Sequence, residues 1–211
     1  MTACRSFALA AALAMGVAMS AAAATVGFDD VQPGSSPEGW TTGVTGKGSP
    51  KWAVAKDETA PSAPNVLEQT GEGTFPFCVD PRVSLADGFV EVKFKPISGD
   101  EDQAGGIVFR FKDQDNYYVT RANALEDNVT IYHTVKGRRR AFENVDMKVS
   151  GQTWHTLRVE FRGTHFTVYL DGRKALEADD DTIHGAGGVG VWTKADSVTH
   201  FDDFTYGPLT P

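Results

Sequence analysis

Cysteine is nearly absent from this chain of 211 residues, which holds only Cys4 and Cys78. Cys4 falls inside an N-terminal leader, so the mature chain keeps Cys78 alone and an intrachain disulfide is excluded. Without that staple a secreted domain must rest on its core, and a chain of this length can build one. Within F-P-F-C-V, Cys78 reads as a small buried hydrophobe rather than a nucleophile. Positive charge is also short, with 20 Lys and Arg against 28 Asp and Glu and a net charge of −8. That balance argues against nucleic acid or an anionic membrane surface as partner. No segment sustains a helical period, and after the leader no apolar run is long enough to span a bilayer. Several catalytic signatures are missing as well: G-x-S-x-G, H-E-x-x-H, C-x-x-C and a phosphate-binding glycine loop. The five histidines, at 133, 155, 165, 184 and 200, are scattered singly.

The leader runs from Met1 to Ala24. Arg5 precedes an apolar stretch of Ala, Leu, Met and Val that ends in Ser20 and four alanines. This is the grammar of a secretory signal peptide cut after Ala24, with no membrane anchor and no lipid-modified cysteine. The expectation is an exported protein, periplasmic or extracellular, with one domain over residues 25–211.

What remains is strand grammar. From Thr25 to Gly73 the pattern is irregular, with short strand candidates at Trp52–Ala55 and Val66–Gln69. Trp40 and Trp52 lie here, open to a place in the core or against a sugar face. From Asp87 onward apolar and polar residues alternate cleanly. Val90, Val92 and Phe94 share one face, and so do Leu157, Val159 and Phe161, then Phe166, Val168 and Leu170 before a tight turn at Asp171-Gly172. The densest stretch is Ala104–Tyr132. There Ile107, Phe109 and Phe111 point to a core with Arg110 facing away, and Tyr117, Val119, Arg121 and Asn123 share a face of the next strand. An Arg and an Asn in line are unusual in a sandwich core and ordinary in a groove. About a dozen short strands predict an all-β fold, two packed antiparallel sheets. Phe28-Asp29-Asp30 echoes Phe201-Asp202-Asp203, as expected if the terminal strands lie side by side. Those four aspartates, Asp29, Asp30, Asp202 and Asp203, would then offer oxygen ligands to a structural calcium ion; no other cofactor is called for. The basic run Lys136-Gly137-Arg138-Arg139-Arg140 reads as a solvated hairpin turn or as a local patch for an anionic ligand.

The run G-G-I-V-F-R-F-x-D-x-D-N-Y-Y-V-x-R-x-N-x-L-E-x-N, followed by W-H-T-L-R-V-E, F-x-V-Y-L-D-G and G-x-V-G-V-W-T-K-A-D-S-V-x-x-F-D-D-F, resembles exported bacterial domains of the concanavalin A-like lectin/glucanase superfamily. More narrowly it is similar to the 3-keto-disaccharide hydrolase domain family, which is like family 16 glycoside hydrolases. The resemblance covers Gly88 to Tyr206. It implies a jelly-roll β-sandwich whose concave sheet carries a carbohydrate groove. Arg110, Arg121, Asn123, Trp192, Lys194 and Asp196 are the ligand-binding positions that it implies, Lys194 with Asp196 fixing the ligand's orientation and glycines 188 and 190 letting it approach the sheet. Directed donors and an indole face suit sugar hydroxyls and rings. Equally, Arg121, Glu126 and Lys194 could be structural ion pairs.

Enzymatic activity stays open. Family 16 laminarinases carry E-x-D-x-x-E on one strand, and this chain lacks it: Glu177 and Asp179 match its beginning, but Thr182 stands at the second Glu. If hydrolysis of glycosides or 3-keto-disaccharides occurs, Glu126 is the acid or base, with Arg121 and Asn123 holding the sugar. A structural or adhesive envelope module is the third reading.

Overall fold

Residues 22–209 are described in this computed structural model, and among them fifteen β-strands and no helix are found. The expected signal peptide lies almost wholly outside the described residues. One sheet joins β1 (Ala24–Val26), β3 (Trp52–Lys56), β4 (Asn65–Gln69), β6 (Gly88–Ser98), β11 (His155–Arg162), β12 (His165–Leu170), β13 (Arg173–Asp179) and β15 (Val198–Gly207). Its order is β13-β12-β11-β6-β15-β4-β3, with β1 on β15. The other sheet joins β2 (Thr41–Ser49), β5 (Glu72–Leu85), β7 (Ala104–Asp113), β8 (Asn116–Asn123), β9 (Asn128–Val135), β10 (Arg138–Asp146) and β14 (Gly187–Trp192), in the order β10-β9-β8-β7-β14-β5-β2. Every pairing is antiparallel, and the fold is the two-sheet all-β sandwich that the alternation predicts, in the jelly-roll form that the resemblance implies.

The alternating residues of β6, β11 and β12 fill the space between the sheets together with Ile107, Phe109, Tyr118, Ile131 and Val191. Trp52 packs on Phe201, and Trp40 stands edge-on to Phe28 and Phe204, so both join the core. Cys78 is buried there too, and burial pushes its thiol far up, which makes it inert.

Two stretches depart from the sequence reading. β2 and β5 were not anticipated, because Thr and Gly in β2 and Pro76 and Pro81 in β5 hide the period; β2 is an edge strand, where such residues are tolerated. In β7 a bulge interrupts the pairing between Phe109 and Asp113, and Arg110 takes φ 47. The extra residue slips the alternation, so Phe111 leaves the core and packs on Phe77 and Tyr117 outside it.

The terminal strands do pair, with Ala24 opposite Tyr206. The four aspartates nevertheless do not converge on a cation. Asp29 accepts the Asn65 amide (3.0 Å), and buried Asp202 accepts the amide and hydroxyl of Ser62 (2.8 and 2.9 Å). Asp30 and Asp203 join no cluster, and no group of three or more potential ligands is found among the described residues. The calcium expectation is corrected accordingly.

On the outer face of the first sheet, His200 is clamped between two carboxylates. Nδ1 meets Asp57 and Nε2 meets Glu68, both at 2.9 Å, and Lys95 meets Asp57 at 2.9 Å. Burial opposes the imidazolium, but Glu68 and Asp57 outweigh it and raise the pKa. A raised folded pKa contributes stability that is full below the unfolded value, about 6.5, and is lost as pH climbs through the folded one. The melting-temperature difference between the native protein and His200→Gln should therefore be greatest near pH 5 to 6.5 and shrink toward pH 9. A difference independent of pH would show that the imidazole is neutral in the clamp.

Candidate functional site

The outer face of the seven-stranded sheet, which the resemblance implies is the concave one, is built in rows. One row runs Phe77, Trp192, Gly106, Arg121, Thr130, and the next runs Val79, Gly190, Val108, Val119, Tyr132. Alternation thus delivers Tyr117, Val119, Arg121 and Asn123 of β8 to this face together with Trp192. Gly106 is required in its row. A Cβ there would lie 2.8 Å from the Thr120 carbonyl, which the backbone does not allow without a shift, and 3.2 Å from the Trp192 ring, which would have to give by a few tenths of an ångström.

The face is not bare. Phe77, Val79, Val108, Tyr117, Val119, Tyr132 and Trp192 form a second apolar cluster, with Phe75 and Phe111 at its margin. Trp192 is fully buried within it, stacked on Phe75 at 5.7 Å, and its Nε1 faces the Tyr117 hydroxyl without completing a hydrogen bond. Its ring offers no open platform to a sugar; Phe75, only partly buried, is the aromatic that lines the cleft. Glycines 188 and 190 offer no approach either, because a Cβ on each would meet the backbone of β5.

Arg139 caps this cluster. Its guanidinium carbon lies 4.2 Å from the ring centres of both Phe75 and Tyr132 and 5.2 Å from that of Trp192. Its Nη1 is buried with no hydrogen-bond partner. Burial pushes its pKa down from the usual arginine value, with Arg121 adding repulsion against the partial help of the tyrosines and Asp102. The basic run is therefore not simply a solvated turn. Lys136 and Gly137 make the turn, and Arg139 is carried on β10 to the concave face, between outward Arg138 and Arg140.

Beside Arg139 lies a ladder of charges. Arg121 donates to Glu126 (2.6 Å) and to Asn128; Asn128 donates to Glu126 (3.1 Å). Lys194 lies 3.9 Å from Glu126 and binds Asp102, which also accepts from Asn123. Asp102 is fully buried, and that burial raises its pKa against the pull of Lys194. For Glu126, burial works upward, but Arg121, Asn128 and Lys194 together hold the carboxyl below its usual value. Its side chain is 41% exposed, so it is ionised and reachable. Asp196 accepts the amides of Asp100 (2.6 Å), Glu101 (3.1 Å) and Asp102 (3.0 Å), which folds the acidic loop and presents Asp102 to Lys194.

A cleft of 590 Å³ opens over this assembly, lined by Phe75, Arg139, Lys194 and Asp196, with Lys47, Glu72 and Glu101 at its rim. Arg121, Asn123, Glu126, Trp192, Lys194 and Asp196 are thus brought to one region, Asn123 and Trp192 beneath its surface. Arg110 is not among them. It is buried elsewhere, bound to the carbonyls of Ala86 (3.0 Å) and Gly163 (2.6 Å) and facing Phe161 and Phe166. Its positive φ turns the side chain off the concave face.

This is the concanavalin A-like jelly roll found in carbohydrate-binding modules and glucanases. The carbohydrate-binding module CBM66 of Bacillus subtilis superposes with a TM-score of 0.66 at 22% identity, covering 79% of this chain and 94% of its own. The β-glucanase of Bacillus licheniformis does so at 0.57 and 13% identity, covering 90% and 99%, and the carbohydrate recognition domain of Emp47p at 0.58 and 11%, covering 88% and 95%. At these identities the likeness concerns the fold. A comparison with curated protein sequences returns no match. The chain belongs to the 3-keto-alpha-glucoside-1,2-lyase-like domain family, which it matches over residues 24–205.

Removing Lys194 would leave Asp102 buried with one donor. Lys194→Met is expected to cost about 3 kcal/mol in urea denaturation at pH 7. Without the ammonium the Asp102 pKa rises further, so the loss should shrink toward pH 4 as the carboxyl is protonated in both states. Adding Asp102→Asn should recover most of the loss at pH 7, and failure to do so would place the cost of Lys194→Met elsewhere.

Proposed function

We propose that this chain is an exported carbohydrate-binding domain that holds its ligand in the cleft over the concave sheet. The observation that carries this reading is the pairing, in one open cleft, of a partly exposed Phe75 ring with the edge of Arg139, beside the Arg121–Glu126–Lys194 ladder. A sugar presents the same pairing in reverse: an apolar face of C–H groups suited to the ring, and oxygens at its edge suited to fixed donors and acceptors. The membership of the family and the fold of carbohydrate-binding modules support it.

A second reading is favoured by Glu126. A 1,2-elimination from a 3-keto-glucoside needs a base to take the proton from the carbon beside the ketone while the C1 substituent leaves. Glu126 is the carboxylate of the ladder that reaches solvent, held beside two cations, and so the one placed to meet such a proton. Hydrolysis by paired carboxylates is supported less, because Asp102, the other acid of the ladder, is sealed beneath Lys194 and Asn123.

A glycan array read with the chain from Thr25 onward separates a binder from an envelope module that takes no glycan. Phe75→Ala should weaken the bound glycan about tenfold or more without loss of fold, and unchanged binding would move the site out of this cleft. Mass spectrometry of a 3-keto-disaccharide incubated with the protein tests the second reading. There Glu126→Gln should retain binding and lose cleavage, and full turnover by that variant would remove Glu126 as the base.

A further inference from the structure

We propose that Arg139 forms an anion-binding subsite and that the glycan taken by the cleft carries a carboxylate, as a uronic acid residue does; this rests on the reading of the cleft as a sugar site. The charges on its floor decide the matter. Arg121 is matched by Glu126, and Lys194 by Asp102. Asp196 is matched by three backbone amides. Arg139 is left over: no carboxylate among the described residues pairs with it, and its side chain lines the cleft, with Nη1 turned inward and sealed without an acceptor. Three aromatic rings fix it in place through their faces, and faces leave the in-plane N–H groups of a guanidinium unspent.

A desolvated cation with unspent donors is costly to keep unless a ligand completes it. The missing group has to accept without donating, because every atom offered is an N–H. A neutral hydroxyl supplies one lone pair and brings a proton of its own. A carboxylate supplies two coplanar oxygens that match the guanidinium fork. A sulfate ester shares the charge and can also turn two oxygens to the fork, so sulfated glycans are the arm of the test that separates the two. Lys47 adds a second cation to the cleft lining, which also carries the exposed Glu72 and Glu101.

The test uses the protein from Thr25 onward on an array of uronate-containing, sulfated and neutral glycans, followed by calorimetry on trigalacturonate, its methyl ester and a neutral trisaccharide. Carboxylated glycans should dominate. Esterification should weaken binding about ten- to a hundredfold, and Arg139→Met should do the same while keeping its stem beneath the rings. Arg139→Lys, which retains charge but not the fork, should fall between, and it decides the matter if Arg139→Met does not fold. Preference for sulfated or neutral glycans, or acidic binding indifferent to Arg139, overturns the carboxylate subsite while the sugar-binding reading stands. Absence of binding to every glycan class overturns both.

Discussion

The face that carries the cleft is organised by one buried indole. Trp192 packs tightly over Gly106, where a Cβ would crowd both its ring and the Thr120 carbonyl, and the aromatic layer of Phe75, Phe77, Tyr117 and Tyr132 closes around it. This layer gives the seven-stranded sheet apolar packing on both faces, whereas the outer face of a solvated sheet is ordinarily polar. It also raises the floor of the groove. The ligand surface is therefore made by what lies over the layer, Phe75 and Arg139, and not by the tryptophan at its centre.

Above that floor the charges follow from burial. Asp102 tolerates complete burial because Asn123 and Lys194 both reach it, and Lys194 is held in place by that contact. Asp196 acts one step earlier, drawing in three successive amides so that the loop presents Asp102 at the right place. Gly99, at φ 149 and against the Asp102 carbonyl, lets the loop begin. These residues share a locality with the cleft, and most of them build it without facing it.

Much of the fold was legible because half-buried strands alternate. β6, β11 and β12 carry the period openly, and the face of Tyr117, Val119, Arg121 and Asn123 was readable from β8 alone. Alternation could not reveal the bulge in β7, which shifts Arg110 and Phe111 by one place, since nothing in F-R-F-K-D distinguishes a regular strand from one with a residue inserted. Nor could it show that the Trp192 face would be covered. Arg139 was closer to reach. A two-residue turn at Lys136-Gly137 sets Arg139 opposite Thr134, two places from Tyr132, and Tyr132 pairs with Val119. The hairpin register therefore puts the central arginine of the basic run on the same face as Arg121. Composition hid this, because three arginines after a turn look alike until their alternation is counted.

The geometry bears unequally on holding and cutting a sugar. Cleavage by two carboxylates requires both to reach the bond, one protonated and one ionised. The directions of the two shifts are those of such a pair, since burial raises Asp102 while cations hold Glu126 down. Access is not: the raised member owes its shift to the complete burial that keeps substrate away, and exposing it would remove the cause of the shift. The asymmetry that resembles an acid and base on paper is thus the signature of a buried strut beside an exposed carboxylate. A single reachable base is a sufficient protein group for an elimination, in which the ketone, not a second acid, makes the proton labile. An elimination would for that reason be confined to a substrate that already carries its own activating ketone.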